Sequence, residues 1–109
     1  MFGIAEPCRW WVVIMAKIIL FGSYAYGTPE KDSDLDIMVV TSDESMPRNF
    51  SEKSKLYLRV SKLISDIKKQ LPIDLIVHTK AMHDEFNSLN SMFAREIRER
   101  GRILYEKGN

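Results

Sequence analysis

The sequence predicts an α/β protein, a small mixed β-sheet flanked by helices. Short apolar runs rich in β-branched residues recur around Ile18–Phe21, Ile37–Val40 and Ile73–Val77. Stretches with apolar residues at helical spacing lie between them, and Gly, Pro and Asp mark the joins. This alternation stacks helices on a sheet. The chain has 109 residues, without repeats, low-complexity tracts or linkers, so a single domain over 1–109 is expected.

Lys17–Phe21 reads as the first strand, stopped by Gly22, with a short helical turn after it. Asp34–Val40 is the second, with Asp34 and Asp36 on one face and Leu35, Ile37 and Val39 on the other. Thr41–Phe50 is polar and holds Pro47, so it reads as a loop at the edge of a cleft, from which Arg48 could reach a phosphate. Ser51 is the expected cap of a helix whose apolar face is Leu56, Val60, Leu63, Ile64, Ile67 and Leu71, ended by Pro72. The third strand is Ile73–Val77. Phe86, Leu89, Phe93 and Ile97 then give helical spacing with a break at 87–91, Gly101 closes the helix, and Arg102–Tyr105 is a last strand. Residues 1–16 resist assignment. The unbroken apolar block Trp10–Met15 fits a buried helix, an added strand, or a patch covered by another subunit, so a homo-oligomer is one expectation.

The chemistry concentrates in Gly22-Ser23 and in Asp34-Leu35-Asp36. Two carboxylates about 7 Å apart along a strand suit a pair of hard divalent ions about 3.5–4 Å apart, the spacing of in-line phosphoryl displacement. Gly22 permits close backbone approach, and Ser23 with the amides after it can face an anion. A calcium loop is excluded because its glycine position is Ile37 and its closing glutamate position is Asp43. Asp74, inside the apolar run 73–77, is a third carboxylate; its alternatives are a strand-end cap or an ion pair with a lysine.

Gly22-Ser23, the spacer and Asp34-Leu35-Asp36-Ile37, together with Ile19-Leu20-Phe21 before them and Gly27-Thr28 between, resemble the polymerase-beta-like nucleotidyltransferases, and most closely their minimal prokaryotic branch. The likeness runs from about Lys17 to the C-terminus. It implies transfer of a nucleoside monophosphate, AMP from ATP, to a hydroxyl with release of pyrophosphate. It implies Asp34, Asp36 and Asp74 as catalytic ligands of two Mg²⁺ ions, with Mn²⁺ as the alternative, and Gly22 and Ser23 as the nucleotide grip. It further implies an antitoxin paired with a HEPN-type toxin that it adenylylates; the alternative is a catalytically idle module that neutralises this partner by binding. Tyr26 departs from the pattern, since the family often has arginine there. Weak nucleotide affinity, rescue by Lys31 or Arg48, or reliance on a partner's basic residue would each fit that departure.

Composition narrows the remaining classes. Sixteen basic against fifteen acidic residues argue against a strongly electropositive nucleic-acid surface, and Glu96 and Glu99 interleave Arg95, Arg98, Arg100 and Arg102 as on a solvated helix face. A single cysteine, Cys8, fits a reducing cytoplasm. His78 and His83 are too few and too poorly spaced for zinc; His78 shares a strand face with Asp74 and reads as a strand end facing water. The apolar stretch Trp10–Phe21 contains Lys17 and is shorter than the roughly 18 residues a membrane span needs. Neither a transmembrane helix nor a signal peptide is expected.

Overall fold

A computed structural model describes residues 14–107. The expectations for the leading segment therefore fall on residues 1–13 and lie outside the described residues, as does Cys8. Met15 and Ala16 are described, and they open the first strand earlier than the sequence suggested. The elements are β1 (Met15–Phe21), α1 (Gly22–Tyr26), β2 (Leu35–Thr41), α2 (Phe50–Leu63), α3 (Ser65–Gln70), β3 (Ile73–His78), α4 (Lys80–Ser88), α5 (Met92–Arg100) and β4 (Arg102–Glu106). They form a mixed α/β fold, as the alternating pattern predicts.

The sheet order is β3-β2-β1-β4. Strand β1 runs antiparallel to both β2 and β4, whereas β2 and β3 are parallel. Alternation along the strands divides the core in two. Val39, Leu75 and Val77 face α2, where they pack with Leu56, Val60 and the partly buried Ile64. Ile19, Phe21 and Met38 face the opposite way, meeting Ile97 of α5 and the partly buried Ile76, Phe86 and Tyr26. Asp36, Met38 and Val40 share that second face, because each is two residues from the next.

The helix expected over 51–71 is two helices. Ile64 leaves the helical region at φ −109°, ψ 14°, so α3 starts on a new axis. The predicted apolar face consequently splits: Leu56 and Val60 are buried, while Leu63, Ile67 and Leu71 stay exposed. The cap is Asn49, whose side-chain oxygen accepts from the Glu52 amide at 2.9 Å, in place of Ser51. Arg48 is committed to the same turn, donating to the Glu52 carboxylate at 2.9 and 3.1 Å. It also lies past the far end of β2, roughly 20 Å along the strand from the acidic end, so it does not reach the grip. A break between the last two helices is present as expected, with Asn90 at φ 49°, and Thr79 and Ser91 cap α4 and α5.

His78 does not face water. Its Nδ1 lies 3.3 Å from Nδ1 of His83, and its ring packs 5.1 Å from that of Phe86. The two histidines that look poorly spaced in sequence thus meet in space, although among the described residues no third ligand joins them. Three residues of strand separate His78 from Asp74, and its Nδ1 meets His83, not that carboxylate.

Two predictions follow from this packing. Asn49→Ala should cost about 1 kcal/mol of stability and Ser51→Ala less than about 0.5 kcal/mol, measured by urea unfolding; equal losses would refute the cap assignment. Burial, helped by the neighbouring His83 and Lys53, lowers His78 from its ordinary 6.5 to about 4. The unfolded chain then takes up a proton that the folded protein refuses. The contribution is full above pH 6.5 and is lost as pH falls toward 4. Unfolding free energy should decline as pH is lowered from 6.5 to 5, and His78→Gln should flatten that decline.

Candidate functional site

Strand β1 delivers the chain to Gly22, which adopts φ +74° and turns it into α1. The reason for glycine is steric as well as conformational. A Cβ here would sit 1.9 Å from Oδ2 of Asp36, so the carboxylate occupies the space a side chain would take. Among the described residues no side chain caps α1, so its first amides have no side-chain acceptor there. Gly27, at φ +84°, ends the helix by donating its amide to the Ser23 carbonyl.

The strand registers bring the carboxylates together. Asp36 is paired with Phe21 across β1 and with Asp74 across β3. Asp34 precedes β2 by one residue and lies two before Asp36, and the Leu35 amide donates to the Pro72 carbonyl at 2.9 Å, tying this end of β2 to the start of β3. Asp36 is partly buried, while Asp34 and Asp74 are exposed. The Asp74 side chain is therefore at the surface, and burial of a lone acid is not what marks it. Asp36 is held above the usual carboxylate range by burial first, and then by the charges of Asp74 and Asp34.

The three acids fit a divalent cation in kind and in place. They offer hard oxygen donors, and their mutual repulsion at Asp36 is what a cation would relieve. As they stand they are gathered without being closed, since among the described residues no three His, Cys, Asp or Glu side chains converge on one ion position. A cavity of about 450 Å³ at this end of the sheet is lined by Tyr24, Lys31, Asp32, Ser33, Leu35 and Pro72, and by none of the three acids.

The sequence missed one neighbour of this site. The Tyr26 ring lies under the Arg100 guanidinium, whose central carbon is 4.3 Å from the ring centroid. The Tyr26 hydroxyl is buried beside the Gly22 backbone and the Glu96 carboxylate without a well-formed hydrogen bond to either. Burial, followed by Glu96, pushes this phenol up; Gly22 and Arg100 oppose the shift. Arg100 is therefore no plain member of a solvated arginine face. Its position depends on how α5 crosses α1, which has no local signature in the sequence.

Residues 14–109 match the family described as polymerase beta, nucleotidyltransferase. A protein of Methanocaldococcus jannaschii with the provisional name protein adenylyltransferase MJ0604 is 34% identical over 89 residues, covering 82% of this chain and 77% of its own. A second from that organism, provisionally protein adenylyltransferase MJ1379, is 38% identical over 70 residues, covering 64% of this chain and 63% of its own. Among solved structures, a crystal structure described as a toxin-antitoxin with AMP-PNP superposes with a TM-score of 0.55 at 23% identity, covering 94% of this chain and 70% of that one. A mutant of the toxin-antitoxin MntA-HpeT superposes at 0.53 with 21% identity, covering 95% of this chain and 71% of that one. These two likenesses establish the fold.

Gly22→Ala should lower stability by about 2 kcal/mol, because the new methyl displaces the Asp36 carboxylate and the left-handed backbone is strained. Adding Asp36→Gly should return part of that loss. Urea unfolding of the single and double variants measures it, and no recovery would mean that the Gly22–Asp36 contact is not the cause.

Proposed function

Because the chain belongs to the polymerase beta nucleotidyltransferase family, we propose that it transfers AMP from ATP to a hydroxyl of a partner protein, a HEPN-type toxin, in the cytoplasm. The observation that carries this reading is the gathering of Asp34, Asp36 and Asp74 around Gly22 at one end of the sheet. The names of the two archaeal relatives and of the structural neighbours support a protein acceptor and a toxin partner.

In this mechanism the acceptor oxygen attacks the α-phosphorus of ATP, the bond to the bridging oxygen breaks, and pyrophosphate leaves while the hydroxyl proton passes to a carboxylate or water. Asp34, Asp36 and Asp74 would hold two Mg²⁺ ions, or Mn²⁺ in their place, which would supply charge neutralisation and acidify the hydroxyl. Gly22 lets the triphosphate approach the backbone. Ser23 and the uncapped amides of α1 orient the β- and γ-phosphates. Most of the rate then comes from positioning and electrostatics, because the chain contributes no covalent intermediate.

A second reading, an antitoxin that neutralises its partner by binding alone, is favoured by one observation. The carboxylates are gathered but not closed on a single ion position. The two readings separate cleanly by mass spectrometry of the protein with ATP and Mg²⁺, alone and with the product of the neighbouring gene. Addition of AMP to that partner is expected, with Asp34→Asn lowering the rate at least about a hundredfold without unfolding the protein. Unmodified partner in a tight complex, and full neutralisation by an Asp34→Ala, Asp36→Ala protein, would sink the transferase reading.

A further inference from the structure

We propose that Arg100 is the cation that binds the β- and γ-phosphates of the nucleotide, held in place by the face of Tyr26. The inference rests on the nucleotidyl-transfer reading and adds a binding residue to it. A triphosphate entering beside Asp34, Asp36 and Asp74 meets three negative side chains, so a positive group on the far flank of Gly22 is needed to balance the charge that the metals leave.

Among the described residues Lys31, Arg100 and Arg102 stand near that end of the sheet, Arg102 on the edge strand β4 opposite Leu20. Lys31 lines the cavity beside Ser33 and Leu35, next to Asp32. Arg100 is placed differently. Tyr26 folds back along α1 until its hydroxyl lies at the Gly22 backbone, and its ring packs against the cluster of Phe21, Met38 and Ile97. The guanidinium rests on the outer face of that ring. Stacking fixes the plane of an arginine without using its N–H donors. Glu96 and Glu99 share α5 with Arg100, yet among the described residues none accepts a hydrogen bond or forms an ion pair with it. Its donor fork is therefore free to take two phosphate oxygens at once. Arg95 and Arg98 lie on the same helix, but Arg98 donates to Asn90 at 2.6 Å, and Arg95 is not held against α1.

The test is calorimetric titration of the full chain with Mg–ATP and separately with AMP, for the wild type, Arg100→Gln, Arg100→Lys, Lys31→Gln, Tyr26→Phe and Tyr26→Leu. Arg100→Gln should weaken Mg–ATP about tenfold and leave AMP, which lacks the β- and γ-phosphates, unchanged. Arg100→Lys should recover part of the loss. Tyr26→Leu, which removes the platform but keeps the charge, should fall between and bind more weakly than Tyr26→Phe, which keeps the ring, and Lys31→Gln should match the wild type. Unchanged Mg–ATP affinity in a folded Arg100→Gln, or an equal loss for AMP, overturns the inference alone. Should that variant fail to fold, equal Mg–ATP affinity of Tyr26→Leu and Tyr26→Phe does the same. A wild type that binds no Mg–ATP overturns the nucleotidyl-transfer reading and this inference with it.

Discussion

The site depends on a side chain that is missing. Oδ2 of Asp36 lies where a Cβ on residue 22 would be, and only glycine leaves that volume open while turning the chain at φ +74°. The pairing of Phe21 with Asp36 places the end of β1 directly beside the carboxylate, so the bend, the first turn of α1 and the acid form one packed unit. Any residue larger than glycine would have to separate them. The parallel register with β3 then extends the unit to Asp74 without further special geometry.

The two faces of the sheet divide the labour between stability and chemistry. One is sealed by α2 through Leu56 and Val60, with the Arg59–Asp43 ion pair tying α2 to the chain after β2. The other is closed by α4 and α5 over a shorter apolar patch, and the acids, the phenol and the histidine pair all belong to it. Burying one face fully lets the opposite face carry repelling carboxylates, a cost that a chain this short could not bear on both sides.

Much of this was legible in the sequence because it is local. The strand runs, Gly22, the spacing of Asp34 and Asp36 and the break near Asn90 rest on periodicity and turn chemistry within a few residues. Asp74 was legible as an acid in an apolar run, although its exposure was not. What could not be read depends on helices crossing. Nothing near Arg100 marks it as the partner of Tyr26, so Lys31 and Arg48 were the natural substitutes for an absent arginine. Arg48 instead completes the first turn of α2, where Asn49 and not Ser51 provides the cap. The turn at Ile64 was likewise hidden, because the apolar spacing continues straight through it.

The pairing of β1 with β4 joins segments from opposite ends of the described chain, down to the amide of Lys107 on the carbonyl of Ala16 at 2.8 Å. Contacts of such long sequence separation carry the largest loop-closure cost. The segment from β1 to β3 closes shorter loops, and it already holds Gly22 and all three acids. Arg100 is on the helix that leads directly into β4. Closing the sheet edge is therefore the long-range contact that sets the end of α5, and with it Arg100, beside the end of β1 that leads into Gly22.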